Sequence, residues 1–485
     1  MVLWRIATRG LGVFSTLILA HVLVPQDFGV VAIATTYLAA FEALSSVGLQ
    51  DAVIRASDAG EELHDTAFTL AVLRGAINGT IVALSAPIAA RFFSEPRIEP
   101  VLYVLAGLAL VEGFENIGTV EFRRDLRFNK EFQLFLLPRL ISVAVTIGAA
   151  LTFKSFWALV MGIAVLRLAR LGFSYAMHPY RPRLSIAAWR RIAGFSFWTW
   201  ASSIASFGRD RSWAIIVGRF FDPASVGSFT MASEIGLLPV SELVYPICRA
   251  LFSGFSVARS QGSSLGPAFV RTIGVVAIPI LPAAIGISAV GNYVVTLALG
   301  PEWAGTIPIM QIVAASAPLM LLTAIGGTVM NAAGNVRNIF WIVAISACLG
   351  AGACVWMAEH FGMIGVAVST SLLMTIEGLL FLVVTARTVG ASPREIISRL
   401  WRPLAATLVM SAVLWSSGYG WRAAVTTPTV AMTDCAIAVV LGAATYIASL
   451  CVLWKLSADP DPLELFLVAT LRRSLDRRKA DDAGS

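Results

Sequence analysis

The chain has 485 residues, of which 57% are hydrophobic and only 13% are charged, and its mean hydropathy is +0.79. An ordinary soluble domain has about 25% charged residues, so this composition excludes a soluble globular protein and indicates a membrane protein with many spans. The net charge of +7 would suggest a nucleic-acid partner in a soluble domain. Here the basic residues sort by membrane side, so no nucleic-acid module is predicted.

Apolar runs long enough to cross a bilayer, which takes roughly 20 helical residues, recur along the whole chain. We therefore predict an all-α polytopic membrane protein with about fourteen transmembrane helices. The predicted helices lie near residues 3–24, 28–50, 66–93, 98–120, 132–153, 155–177, 192–221, 224–257, 267–299, 305–332, 336–357, 362–389, 401–419 and 429–455. The first run is too long for a signal-peptide core, although the short tail before it leaves open whether Met1 is the natural start.

Basic residues are concentrated in the loops that follow the even-numbered helices. These residues are Arg123, Arg124, Arg127, Lys130, Arg181, Arg183, Arg190, Arg191, Arg394, Arg399, Arg402, Arg472, Arg473, Arg477, Arg478 and Lys479. The loops on the other side contain few arginines or lysines. The positive-inside rule therefore places both termini, including a tail over 457–485, in the cytoplasm.

An internal repeat divides the chain. The first predicted helix ends in LILAHVLVPQDFG, with Pro25 and Gly29, and the seventh ends in AIIVGRFFDPASVG, with Pro223 and Gly227. Because both copies open a group of six helices on the same side, we predict two pseudo-symmetric lobes related by an axis along the membrane normal. We assign residues 1–178 to an N-terminal lobe, 192–390 to a C-terminal lobe and 400–456 to two additional helices. In such repeats the substrate site usually lies between the lobes.

Three charges lie near the middle of the seventh predicted helix: Arg209, Asp210 and Arg211. A charged side chain at the centre of a bilayer costs about 2.5 to 3.5 kcal/mol on insertion scales, so these residues need partners or a water-filled cavity. At 100° per residue, Arg209 and Arg211 point in roughly opposite directions. Either Asp210 neutralises an arginine in a structural pair, or Arg209 faces a functional cleft.

Several stretches together resemble bacterial polysaccharide-repeat exporters. The segment LAHVLVPQDFGVVAIATTYLAAFEALSSVGLQDAVIR is similar to the family's opening signature, RRDLRFNKEF to its cytoplasmic loop, and IIVGRFFDPASVGSFTMASEIGLLPV to the start of its second lobe. The sequence differs from the family at His21, where an arginine is usual, and at Trp213, where an aspartate is expected. The resemblance is to the oligosaccharidyl-lipid flippase branch of the multidrug/oligosaccharidyl-lipid/polysaccharide (MOP) exporter superfamily.

This resemblance implies a specific transport function. The expected substrate is an undecaprenyl-diphosphate-linked oligosaccharide, moved from the cytoplasmic to the outer leaflet of the bacterial inner membrane as two lobes alternate in access. A polysaccharide polymerase and a chain-length regulator are the implied protein partners, besides membrane lipids. The sequence does not name the sugar, the polymer or the coupling ion.

An anionic diphosphate headgroup needs cations and hydrogen-bond donors inside the cleft. The predicted substrate-binding residues are Arg209, Arg74, Asn78, Arg211, Arg249 and Tyr245. Carboxylates inside the membrane are predicted candidates for ion coupling, and equally for pairing with arginines that pack between helices: Glu42, Glu234, Glu242, Glu377 and Asp210. On a regular helix Glu234, Glu242, Tyr245 and Arg249 form one stripe that could line the cleft.

No signature of catalysis or of a cofactor stands out. A phosphate-binding loop would need Gly-x4-Gly-Lys-Ser/Thr, which the chain lacks. The four histidines have no metal-ligand spacing, and the five cysteines lie in apolar runs at irregular spacing. We therefore predict no enzyme activity, no cofactor and no metal.

Two other functions compete with the flippase. A membrane polysaccharide polymerase or glycosyltransferase acts on similar lipids, but we expect such an enzyme to hold its catalytic residues on a sizeable external loop, and the loops here are short. A drug/cation antiporter of the same superfamily would need an acidic cleft, which Arg74 and Arg209 argue against.

Overall fold

The structure is a computed structural model that describes residues 2–45, 60–125, 127–189, 197–421 and 427–456. These residues form helices joined by short turns and contain no strand, which confirms the predicted all-α class. The predicted tail 457–485 lies outside the described residues. The helices are Val2–Val22 (α1), Pro25–Leu44 (α2), Glu61–Phe92 (α3), Ile98–Gly113 (α4), Glu121–Arg124 (α5), Phe128–Phe153 (α6), Trp157–Met177 (α7), Phe197–Phe220 (α8), Pro223–Gly236 (α9), Tyr245–Ser260 (α10), Gly266–Ala289 (α11), Gly291–Ala298 (α12), Thr306–Ser316 (α13), Met320–Ala332 (α14), Val336–Val389 (α15), Pro393–Ser416 (α16) and Pro428–Leu456 (α17).

Many of these helices have the length and hydropathy of a membrane span. Within the described ranges, 9 helices meet both requirements, or up to 11 if each of two bent pairs is one span. The protein is therefore a multi-pass membrane protein, and the count of fourteen stays a prediction. Helix α15 has 54 residues, about 80 Å at 1.5 Å per residue, which is more than twice the thickness of a bilayer core.

The long α15 is in fact two helices. Gly362 has φ 63° and ψ −149°, a conformation outside the helical region that glycine adopts at little cost. This confirms the predicted break between residues 357 and 362. The two helices that meet at Gly362 can each cross the membrane, and the second one positions Glu377 against α8.

The two Pro-to-Gly turns of the internal repeat contact each other. A Cβ atom on Gly29 would lie 1.7 Å from the carbonyl oxygen of Pro223, and a Cβ on Gly227 would lie 1.9 Å from that of Pro25. Only glycine fits at either position, because these distances are far shorter than any real contact of a Cβ. Helices α2 and α9 therefore pack closely through equivalent residues, as expected of paired lobes. The superposition of the two lobes itself stays a prediction.

We call this end of the bundle the turn end, and the opposite end, which contains residues 178–189, the linker end. At the turn end the indole Nε1 of Trp303 donates a hydrogen bond to the carbonyl oxygen of Ala20 at 3.0 Å. Trp303 is completely buried, and its ring meets that of Phe28 edge to face with centroids 5.2 Å apart. The C-terminal half of the chain thus seals the turn end against α1 and α2.

Candidate functional site

The central arginine of α8 is held by two carboxylates. Arg209 donates from Nε to Asp210 Oδ1 at 2.8 Å and from Nη1 to Glu377 Oε1 at 2.8 Å. A weaker bond of 3.2 Å joins its Nη2 to Asp210 Oδ2. The side chain of Glu377 is 5% exposed and that of Asp210 is 56% exposed. Arg209 therefore links a buried carboxylate on α15 to an open one on its own helix.

The structure shows the ion pair that the sequence left as one alternative for Arg209: Asp210 pairs with the arginine and is itself 56% exposed. The other alternative, that Arg209 faces a functional cleft, stays a prediction. Arg211 is exposed, and within the described ranges it has no hydrogen bond or ion pair. The charge of Arg211 is thus uncompensated, whereas the charge of Arg209 is more than balanced.

Helix α10 begins in the same region and carries two more of the predicted residues. Tyr245, at its first position, lies within electrostatic range of Asp210, Arg209 and Glu377. Arg249 follows one turn later on the same face. It is exposed and forms no hydrogen bond or ion pair with any residue that the structure describes. Arg249 is therefore a cation that an anionic ligand can reach without displacing a partner.

The predicted stripe from Glu234 to Arg249 assumed one regular helix, whereas the helix that should carry it is interrupted. The chain bends by 48° between Pro223–Gly236 and Val240–Ser260, and residues Val240–Val244 form a π-helical turn. Pro239 lies at the break and lacks the N–H that would continue the helical hydrogen bonds. Glu234 and Glu242 thus occupy different segments from Tyr245, and Glu242 accepts a hydrogen bond from Ser241 at 3.0 Å.

A second ion-pair network lies among α2, α4 and α7. Arg167 Nη1 is 2.8 Å from Glu112 Oε2, and its Nη2 is 3.4 Å from Glu42 Oε1. One turn further along α7, Arg170 donates to Glu115 at 2.9 Å. The side chains of Glu42 and Glu112 are 36% and 38% exposed, so this N-lobe network is open on one side.

The two residues predicted on the third span have different roles. Arg74 is partly exposed, lies within electrostatic range of Glu42, and makes no ion pair within the described ranges. Asn78 is only 4% exposed, and its amide donates to the hydroxyl of Ser45 at 2.8 Å. Arg74 can therefore join the N-lobe network, whereas Asn78 ties α3 to the end of α2.

Sequence reasoning missed four members of this network: Glu112, Glu115, Arg167 and Arg170. The sequence did contain a usable signal. Glu112 and Glu115 are three residues apart in one predicted span, and Arg167 and Arg170 are three residues apart in another, so each of these two pairs should share a helix face. The rule that singled out Arg209, that a charge within a span needs a partner, applies to them equally.

Both networks lie well below the sealed turn end. Glu42 is about 20 Å along α2 from Gly29, and Arg209 is about 16 Å along α8 from Phe220, at 1.5 Å per residue. That an anionic group binds between two lobes at this level stays a prediction. Within the described ranges, no group of three or more His, Cys, Asp or Glu side chains could hold a metal ion.

Comparison with curated proteins gives distant relatives along most of the chain. It is 25% identical over 423 residues to the lipopolysaccharide biosynthesis protein WzxC of Escherichia coli, covering 84% of each chain. It is 23% identical over 426 residues to the succinoglycan biosynthesis transport protein ExoT of Rhizobium meliloti, covering 85% of this chain and 84% of that one.

The fold is that of known membrane transporters. The lipid II flippase MurJ in an inward closed conformation matches with a TM-score of 0.77 at 14% identity, over 94% of this chain and 99% of that one. An inward-facing multidrug transporter of the MATE family matches with a TM-score of 0.61 at 13% identity, over 80% and 98%. The family model described as "Polysaccharide biosynthesis protein" matches residues 18–308. The chain therefore belongs to this polysaccharide biosynthesis family.

Proposed function

We propose that this protein is a flippase that moves lipid-linked polysaccharide repeat units from the cytoplasmic to the outer leaflet of the bacterial inner membrane. The observation that carries the proposal is the pair of ion networks on opposite halves of an apolar bundle, below a sealed turn end. Charged side chains at this depth are costly and need a function or a partner. The printed names of WzxC and ExoT, which describe polysaccharide biosynthesis and transport, support the same function.

The substrate we propose is an undecaprenyl-diphosphate-linked oligosaccharide. Its diphosphate would contact Arg249 and Arg74 first, because neither arginine has an ion pair with a described residue that it would have to give up. Arg209 would follow by exchanging the exposed Asp210 for a phosphate oxygen, and Tyr245 would donate a hydrogen bond. Charge-assisted bonds of this kind are stronger than neutral ones.

We propose that the linker end and both termini face the cytoplasm, following the distribution of basic residues. Access to the outer leaflet then requires the Gly29–Pro223 and Gly227–Pro25 contacts to separate. The partly exposed Glu42 and the buried Glu377 are the candidates for ion coupling. Each carboxylate forms an ion pair with an arginine, and the substrate could attract that arginine away from it. A polymerase and a chain-length regulator would receive the exported units.

We infer a carrier rather than an enzyme or a drug/cation antiporter. The buried and half-buried carboxylates that the structure describes in the two networks each face an arginine, which suits binding of an anion better than acid catalysis or binding of an organic cation. In addition, the printed name of ExoT is that of a transport protein.

The proposal can be tested in cells of the source organism that lack this gene. Surface polysaccharide should disappear, and lipid-linked repeat units should accumulate on the cytoplasmic side, where an added enzyme cannot reach them in intact cells. The wild-type gene should restore export and Arg249→Ala should restore it poorly. Arg259→Ala, an exposed arginine in the last turn of the same helix, is the matched control and should restore it fully. Normal export without the gene would contradict the proposal.

A further inference from the structure

The segment that follows α7 is fixed to the N-terminal half rather than free between the halves. The carboxylate of Asp65 on α3 accepts hydrogen bonds from the hydroxyl of Tyr180 and, at 2.8 Å, from the backbone N–H of Arg183. One turn further along α3, the hydroxyl of Thr69 accepts from the N–H of Ser185 at 2.8 Å. These bonds attach successive parts of the segment to one helix, α3.

Further contacts hold both ends of the segment. The N–H of Ala188 donates to the hydroxyl of Thr66 at 3.1 Å, and the amide of Asn116 donates to the carbonyl oxygen of Tyr180 at 2.8 Å. His178 Nε2 lies 3.1 Å from Glu121 Oε2. Burial and the bond to Asp65 raise the pKa of Tyr180, so its hydroxyl stays protonated and remains a donor. The segment after α7 is thus bonded to helices of the N-terminal half as far as Ala188.

Several side chains of this segment are exposed, and these are apolar or basic. The backbone N–H groups of Arg183 and Ser185 bond to α3, so the exposed side chains are held on the surface of the protein. Leu184 is 74% exposed and Ile186 is 63% exposed, and Trp189 is 50% exposed. Between residues 181 and 189 there are two arginines and no acidic residue.

The exposed side chains of this segment lie near the ends of two membrane-spanning helices. The segment begins directly after α7 ends at Met177, and it lies on α3 next to the first turns after Glu61, so it is at the level where two spanning helices end. Tryptophan, arginine and large aliphatic side chains are the residues that bind the boundary between lipid headgroups and acyl chains.

We propose that residues 181–189, which we call the linker strap, bind the surface of the leaflet at the linker end through its anionic phospholipids. Leu184 and Ile186 insert below the headgroups, and Arg183 contacts the phosphates. The charge of the strap favours an anionic lipid surface over a neutral one, because each basic residue near such a surface is attracted to it. Since the strap is bonded to α3, this contact fixes the N-terminal half in the leaflet independently of any substrate.

The test uses the full-length protein in nanodiscs made of phosphatidylglycerol and phosphatidylcholine. A cysteine-free variant receives Leu184→Cys, labelled with a fluorophore, and bromine is placed on the acyl chains of one lipid or the other. The matched control is Ser263→Cys, at an exposed position in the turn between α10 and α11. If Leu184→Cys does not give a monodisperse protein, Ile186→Cys takes its place.

The label at residue 184 should be quenched by brominated lipid and protected from aqueous iodide, whereas the label at 263 should be quenched by iodide. Quenching should be stronger when phosphatidylglycerol carries the bromine than when phosphatidylcholine does. Arg183→Gln should lower this preference by up to about fivefold, the contribution of one basic residue near an anionic surface.

Three results would overturn the proposal. Iodide quenching at 184 equal to that at 263 would show that the strap faces water. Equal quenching by both brominated lipids would remove the role of anionic lipid. Protection from iodide without quenching by either lipid would mean that protein covers the strap instead.

Discussion

The two halves of the bundle hold their charges in different ways. In the C-terminal half, Arg209 pairs with a carboxylate that is 5% exposed and with another that is 56% exposed. In the N-terminal half, Arg167 pairs with two carboxylates that are both about one third exposed. A buried pair tolerates the loss of one partner poorly, whereas partly exposed partners can be replaced by water or by a ligand. The network around Arg209 therefore contributes more to the stability of the fold, and the network around Arg167 exchanges partners more easily.

The largest effect is expected from Arg209→Ala, because it leaves Glu377 buried without a counter-charge. The loss of stability should be about 3 to 5 kcal/mol, the usual result of breaking a buried ion pair. Protein abundance and export should be measured together, since low abundance alone would abolish export. Arg209→Lys should recover part of both, because lysine keeps the charge but loses the bidentate fork.

The matched control for this change is Arg211→Ala, which removes a neighbouring exposed arginine and should leave abundance unchanged. Arg209→Ala combined with Glu377→Ala should regain much of the lost abundance. If the double variant is abundant but still fails to export, Arg209 also acts on the substrate. Normal abundance of Arg209→Ala alone would contradict the difference drawn between the two halves.

Gly29→Ala should act on the turn end. The new methyl group would overlap the carbonyl oxygen of Pro223, so α2 and α9 must move apart at a cost of about 1 to 3 kcal/mol. A disulfide between cysteines placed in the two turns should form less readily, because the turns would lie farther apart. Gly148→Ala is the control, because a Cβ there meets nothing within 4 Å and the change should be neutral or slightly stabilising. Unchanged crosslinking in Gly29→Ala would show that the contact is not tight.

A smaller effect on stability is expected from Arg167→Ala. Glu42 and Glu112 are exposed enough to be solvated when the arginine is removed, so the protein should remain abundant while export falls. The control is Arg123→Ala, which breaks the ion pair between Arg123 and Glu131 of α6 and should leave export intact. The side chain of Arg123 is 50% exposed. A loss of abundance as large as that of Arg209→Ala would remove the distinction between the two networks.

The sequence predicted the features that depend on local pattern. The apolar runs located the helices, and the shared turns at Pro25 and Pro223 pointed to two segments that do meet in the structure. Charge within a span singled out Arg209 correctly as a residue that needs partners.

What the sequence could not supply is pairing over distance and the local break of a helix. Glu377 is 168 residues from Arg209 along the chain, and no spacing rule connects them. The stripe through Glu234 and Tyr245 assumed a regular helix, whereas Pro239 and the π-helical turn interrupt it. Proline within a span predicts a bend but not the direction in which the following side chains point.

The central claim is our proposal that Arg249 and Arg74, which form no ion pair with any residue that the structure describes, bind the diphosphate of a lipid that is carried across the membrane. The most direct measurement is the movement of a fluorescent undecaprenyl-diphosphate-linked sugar between leaflets of vesicles that contain the purified protein. Wild-type protein and Arg259→Ala should speed this movement equally over protein-free vesicles. Arg249→Ala, folded and inserted to the same extent, should slow it by about tenfold or more, the value of losing one charge-assisted bond of roughly 1.5 kcal/mol. Equal rates for Arg249→Ala and wild type, or no acceleration by the wild-type protein, would contradict the account.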